Sequence, residues 1–237
     1  MNWIIDKSLH SLYFHRAAII LRFLTLICYI FMFGTILGAI ISSFDYLIHL
    51  IYGMLIICVV SNNLLFISDF KLLIEKNYHI YLVCLPISSQ KLLFSFLFEI
   101  MMKILIQQIP LFFFLGLFVS INNVFIIIIL SFLFSIFLTL FCLFLSSYID
   151  ATVYRSLRTF IQPISTRLST IFYPINFIPS IFLIFVIVNP ITWFNETIQH
   201  YSHFSDFNIL FSFFLLIIAS FVLFNLASKR LEHILMN

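Results

Sequence analysis

Along most of this chain, hydrophobic residues run together in long blocks instead of alternating with polar ones. Six stretches, at about 17–42, 47–69, 91–118, 124–148, 154–173 and 207–227, are long enough to cross a hydrocarbon core, which takes ~20 residues for ~30 Å. The pattern predicts an all-α polytopic membrane protein, a single transmembrane domain over 1–237 with six transmembrane helices.

Three segments break the pattern. In residues 1–16, Trp3, Ile4, Leu9, Leu12 and Tyr13 share one helical face, while Lys7, His10 and Arg16 lie elsewhere. That spacing predicts an amphipathic helix lying along the membrane interface. Residues 69–91 carry their charges early, have an apolar middle and meet a helix stop at Leu85–Pro86. A short helix parallel to the surface would bury Leu72, Leu73 and Ile80 and expose Glu75 and Lys76. The third segment, 174–206, has an apolar run from Phe177 to Val188 that is too short to span. Pro174, Pro179 and Pro190 punctuate it, which predicts a re-entrant pair of short helices over 174–200.

The fifth stretch is amphipathic. At helical spacing Arg155, Arg158, Thr159, Gln162, Ser165, Thr166, Ser169, Thr170 and Tyr173 fall in one arc. Leu157, Phe160, Ile161, Ile164 and Leu168 fall opposite. Lipid is a costly neighbour for such an arc, so it must face a cavity, a partner helix or the same helix of a second subunit. The third stretch places Glu99, Lys103 and Gln107 on one face, with Glu and Lys in the favourable order for a helical pair. This is either a cavity-lining relay or a structural ion pair.

Composition sharpens the class. The chain is 63% hydrophobic with 33 Phe and 9% charged residues, more apolar surface than a soluble domain of 237 residues can hide. Its twelve Lys and Arg segregate: Lys7, Arg16 and Arg22; Lys71, Lys76 and Lys91; Arg155, Arg158 and Arg167; Lys229 and Arg230; and Lys103 near the start of the third stretch. The positive-inside bias therefore places both termini in the cytoplasm, which an even number of spans requires. The net charge of +3 reflects this bias and is no nucleic-acid footprint. The first apolar run is too long for a cleavable signal peptide. Cys28, Cys58, Cys84 and Cys142 lack paired spacing and read as packing residues. Gly34 and Gly38 form a small-residue pair of the kind that admits a neighbouring backbone.

Much chemistry is absent. Gly34, Gly38, Gly53 and Gly116 are all the glycines, and none opens a nucleotide-binding loop. No HExxH, GxSxG or CxxC occurs. His200 and His203 are close enough to share a metal but read more simply as solvated loop residues. Asn195-Glu196-Thr197 matches the glycosylation pattern. ATP-driven transport would need the nucleotide on another chain.

Several of these features coincide with short blocks of sequence: Leu85-Pro86-Ile87-Ser88 after the second stretch, Tyr173-Pro174 and Pro179 after the fifth, and Asn189-Pro190-Ile191-Thr192 beyond. Across essentially its whole length the chain resembles the permease subunit of type-2 ABC exporters. The resemblance implies a dimer of this chain, a homodimer or a pseudo-symmetric pair, with two ABC ATPase subunits that carry ATP and Mg. No cofactor is implied on this chain itself. It makes 69–91 the coupling helix, with Glu75, Lys76, Tyr78, Leu85 and Pro86 at the ATPase. It makes 174–200 the outer gate, with Pro174, Pro179, Asn189 and Pro190. Arg155, Arg158, Gln162, Ser165, Thr166, Ser169 and Tyr173 would line the path, with membrane lipid around them. Such permeases sit in the bacterial cytoplasmic membrane, and the two arginines favour a lipid-linked glycan or glycolipid as cargo. The Leu-Pro-Ile-Ser block, and the lack of a Leu-Gly-x-Leu-Trp entry to the first stretch, resemble drug-exporting members instead. An intramembrane lipid-modifying enzyme would need convergent polar groups, for which Glu99 and Lys103 are the candidates. A non-transporting assembly subunit would have no ATPase partner.

The charge segregation has a direct test. Asn123→Cys should react with an impermeant thiol reagent on intact cells, and Lys76→Cys should not. Labelling at position 76 from outside would overturn the six-span topology.

Overall fold

The computed structural model describes residues 16–40, 45–73, 88–199 and 207–236. The interfacial helix expected at 1–16 lies almost wholly outside them, as do Cys84, His200 and His203. Glu75, Lys76, Tyr78, Leu85 and Pro86 of the coupling segment also lie outside the described residues.

Every regular element among the described residues is helical. The chain opens with α1 (Arg16–Tyr29), a π-helical stretch (Ile30–Gly34) and α2 (Thr35–Ile40). Three long helices follow: α3 (Tyr46–Leu73), α4 (Ser89–Phe118) and α5 (Ile121–Ser146). Then come the amphipathic α6 (Ala151–Arg167), a 3₁₀ turn (Ile175–Phe177), the short pair α7 (Ser180–Val188) and α8 (Pro190–Gln199), and finally α9 (Phe207–Met236). In α3, α4 and α5, segments Tyr46–Leu65, Ser89–Phe118 and Ile121–Ser146 are long and apolar enough to cross a membrane. They match the second, third and fourth stretches of the sequence.

Two expectations shift. The fifth stretch was expected to be helical to residue 173, but α6 stops at Arg167 after 17 residues. The C-terminal residue Leu168 leaves helical backbone, and 168–174 turns back over the bundle. A segment that short and that polar is not a self-sufficient span. Helix α3 also runs on to Leu73, so the start of 69–91 continues the preceding helix instead of opening a new one.

The core forms around α3. Seventy-two per cent of its spanning window is buried, against 50% for α4 and 39% for α5, which makes it the central helix. Leu50, Ile51, Met54, Leu55, Ile56 and Val59 are all within 1% of complete burial. Helices α4 and α5 pack on α3, α9 closes against α5 and α4, and α6 leans on α3. Residues on all sides of α3 are apolar, as expected of a helix surrounded by protein. Pro110 is accommodated within α4, as prolines commonly are in membrane helices.

One glycine decides a contact. A Cβ on Gly53 would sit 2.6 Å from both the carbonyl oxygen and Cγ2 of Ile171. The 168–174 turn therefore rests directly on the α3 backbone. Of the Gly34/Gly38 pair, a Cβ on Gly34 would meet Leu47 and Leu50 at ordinary contact distance, while one on Gly38 would point into open space.

Gly53→Ala should therefore destabilise the protein by about 1–3 kcal/mol, the usual cost of overpacking. Gly38→Ala should be close to neutral. Unfolding in detergent micelles measures both, and an unchanged Gly53→Ala would remove this contact from the account.

Candidate functional site

The polar residues of the bundle fall into three groups. The first lies between α3, α4 and α5. Asn62 Nδ2 donates to Gln107 Oε1 at 2.5 Å and to the Cys58 carbonyl at 2.8 Å. Thr139 Oγ1 donates to Asn63 Oδ1, and Asn63 Nδ2 to the Val59 carbonyl at 3.0 Å. Gln108 Nε2 reaches the Leu55 carbonyl at 3.3 Å. Asn62, Asn63, Gln107, Gln108 and Thr139 are all buried. A turn earlier on α4, Lys103 Nζ lies 2.6 Å from Glu99 Oε1, with Lys103 only 2% exposed and Glu99 15%. The predicted face Glu99–Lys103–Gln107 thus turns into the bundle, and Gln107 joins α4 to α3. Cys58 and Cys142 are buried free thiols, and Cys28 is exposed. Among the described residues no group of His, Cys, Asp and Glu could hold a metal.

The second group is α6, which has three faces. Tyr154, Arg158, Gln162, Ser165 and Thr166, with Ser169 just beyond the helix, turn toward the bundle and are buried or half-buried. Val153, Leu157, Phe160, Ile161 and Ile164 form an exposed apolar face. Between these faces Arg155, Ser156, Thr159 and Arg167 form an exposed polar edge. The residues predicted to line a path are therefore divided. Arg155 is exposed, and so is Tyr173 beyond the helix, whereas Thr166 and Ser169 are buried. Several hydroxyls bond back to their own helix: Thr166 and Ser165 to the Gln162 carbonyl, Ser169 to that of Thr166. Arg167, grouped by sequence with the residues at one membrane face, lies 12 residues beyond Arg155, about 18 Å along the axis.

The third group bolts α7 and α8 to the rest. These helices meet at 89°, with the break at Asn189. Asn189 Nδ2 donates to the carbonyls of Ser165 and Leu168, at 2.6 and 2.8 Å, where α6 ends. Its Oδ1 accepts from the Ile191 N–H at 3.1 Å and caps α8. Pro190 follows at the first position of α8, where a missing N–H costs nothing. Asn195 Nδ2 donates to the Thr170 carbonyl at 2.8 Å. The His49 ring on α3 bonds through Nδ1 to Gln199 Oε1 at 3.0 Å. Trp193 Nε1 reaches back to the Ile187 carbonyl at 2.5 Å. Phe194 stacks on Phe134 of α5 with ring centroids 3.8 Å apart. Of the predicted gate residues, Asn189 is thus a double cap, Pro190 opens α8, Pro179 precedes α7 and Pro174 precedes the 3₁₀ turn. Asn195, part of the glycosylation pattern, is fully buried, so its amide is committed inside the fold.

Sequence reasoning did not single out His49, Asn62, Asn63, Gly53 or Asn195 in these roles. Polar residues in an otherwise apolar helix were the available signal at three of them, His49, Asn62 and Asn63. An apolar cleft of about 600 Å³ separates the apolar face of α6 from Ile184, Phe185 and Val188 of α7.

Comparison of the chain with protein-family models, with curated proteins and with solved structures finds no match.

The double role of Asn189 separates two substitutions. Asn189→Asp keeps the α8 cap but loses both donors and sets a carboxylate against two carbonyls. It should be less stable than Asn189→Ala, which itself should cost about 1–3 kcal/mol. Thermal unfolding in micelles decides it: Asp performing as well as Asn would mean that the cap alone matters.

Proposed function

We propose that this chain is the transmembrane permease subunit of an ATP-driven exporter of the type-2 ABC class. In this reading it has six spans, both termini in the cytoplasm and a place in the bacterial cytoplasmic membrane. It works as a dimer with two ATPase subunits and moves a lipid-linked glycan or glycolipid outward, of the capsule, O-antigen or teichoic-acid kind. The observation that carries the reading is the polar edge of α6. Arg at membrane depth is unfavourable by ~2.5–3.5 kcal/mol on insertion scales, so Arg155, Thr159 and Arg167 need a polar neighbour. The described part of the chain leaves them exposed. A second copy supplies that neighbour if two α6 helices face each other across a hydrated route. The adjoining apolar face and its cleft beside α7 would then pack against the second copy. The bend at Asn189 supports a re-entrant pair, because neither the 9-residue α7 nor the 10-residue α8 can span alone. Polar backbone ends at such depth are tolerated where protein satisfies them, and Asn189 and Asn195 do so. Export of a drug-like apolar molecule is the second reading, favoured by the apolar face of α6.

Ser169 is buried, so exposed Thr159 is the better probe. Thr159→Cys should crosslink between two copies, and Thr159→Trp should block export while an ATPase subunit still copurifies. Unimpaired export by Thr159→Trp, with no crosslink at Thr159→Cys, would exclude α6 from the route. Absence of any ATPase from the purified complex would exclude the exporter.

A further inference from the structure

We propose that the outer flank of α4, α5 and α9 is a binding site for one anionic phospholipid, with its phosphate at Arg230 and one acyl chain in the groove above. The site requires the membrane-spanning helices but not transport, and it lies away from α6 and the α7–α8 pair. The groove holds about 630 Å³ and is apolar throughout, with Phe94 and Met101 from α4, Leu133 and Leu140 from α5, and Ile217 and Phe221 from α9. Its one polar lining group, the Ser220 hydroxyl, is bonded at 2.8 Å to the Leu216 carbonyl and asks nothing of an occupant. Hydrocarbon is the chemistry that fits.

Below the groove, the residues just past the end of α5 meet the last turns of α9. The Arg230 guanidinium carbon sits 4.9 Å from the centroid of the Tyr148 ring, which Phe144 buttresses edge-on. This stacking fixes the plane of the guanidinium but uses none of its N–H donors. Arg230 Nε is buried and has no acceptor. Arg230 as a whole is only half-buried, so its guanidinium stays open to an acceptor, and a phosphate oxygen is the one it recognises best. Lys91 at the start of α4 and Lys229 beside Arg230 are exposed at the same end. The acidic groups of these helix ends, Asp150 and Glu232, are exposed to solvent. Leu140 lies six residues before the end of α5 at Ser146, about 9 Å along the helix, and Tyr148 follows two residues later; the glycerol and first chain carbons of a phospholipid bridge such a distance. A headgroup with net negative charge is favoured over a zwitterionic one, because its phosphate charge is not offset by a choline beside Lys229.

The test uses the purified full chain in neutral detergent, with dioleoylphosphatidylglycerol, dioleoylphosphatidylcholine or free glycerol phosphate added. Native mass spectrometry counts retained lipid, and thermal unfolding reads the stabilisation. Phosphatidylglycerol should be retained about fivefold more strongly than phosphatidylcholine, the increment expected of one basic residue. Arg230→Gln should bring the two lipids level, and Ser220→Trp, which fills the groove, should lower retention of both. Should Arg230→Gln not insert, Tyr148→Leu at an exposed position carries the same test by freeing the guanidinium from its stack. Equal retention of both lipids by the unaltered chain would overturn the site. So would undiminished preference in Arg230→Gln or Tyr148→Leu, or stabilisation by glycerol phosphate alone.

Discussion

Hydrocarbon offers no hydrogen bonds, so each polar group that this chain carries to membrane depth must find its partner within protein or beside water. Much of the architecture follows from that constraint. Where a helix stays continuous the backbone satisfies itself. Where it breaks, at the end of α6 and again between α7 and α8, side chains take over. Asn189 serves both breaks at once, donating to the freed carbonyls of one helix and accepting from the freed N–H of the next. Asn195 donates in the same way to the carbonyl and hydroxyl of Thr170 in the turn. The sharp bend of α7 against α8 is therefore a closed hydrogen-bonded unit instead of a loose loop.

The same constraint explains why α3 is central. It carries His49, Asn62 and Asn63, each bonded to a different partner element: Gln199 on α8, Gln107 on α4 and Thr139 on α5. Apolar packing alone is weakly directional between helices whose surroundings are equally apolar. Buried amides and hydroxyls give α3 a defined rotation relative to each neighbour. Gly53 then lets the 168–174 turn lie on its backbone.

Function falls where these satisfactions run out. The amides between α3, α4 and α5 are engaged with one another, and Lys103 is held by Glu99, so this layer reads as structure. The proposed export reading rests instead on α6, whose polar edge remains open while its inner face is committed to the bundle. A helix with an inner, an apolar and a polar face needs three different neighbours. The single chain supplies the first; in the proposed exporter, lipid or a second copy would supply the next and a hydrated route the last.

Block hydrophobicity alone determined that the protein is helical and membrane-embedded, because ~20 apolar residues in a row have few other uses. It also located α3, α4 and α5 to within a few residues, and it showed that 177–188 was too short to span. Lys103 could be paired with Glu99 because helical spacing is local. What needed the tertiary structure was everything that depends on distance between segments. The end of α6 at Arg167 depends on Asn189, more than twenty residues away, taking its last carbonyls. The arc of α6 looked like one polar face; packing on α3 divided it, burying Thr166 and Ser169 and leaving Arg155 and Arg167 exposed. Asn195 matched the glycosylation pattern, and only packing shows it buried against Thr170. Gly53 carried no local signal, since a glycine within an apolar helix does not reveal which backbone will rest on it. Periodicity reports which residues share a face, and only packing decides what that face meets.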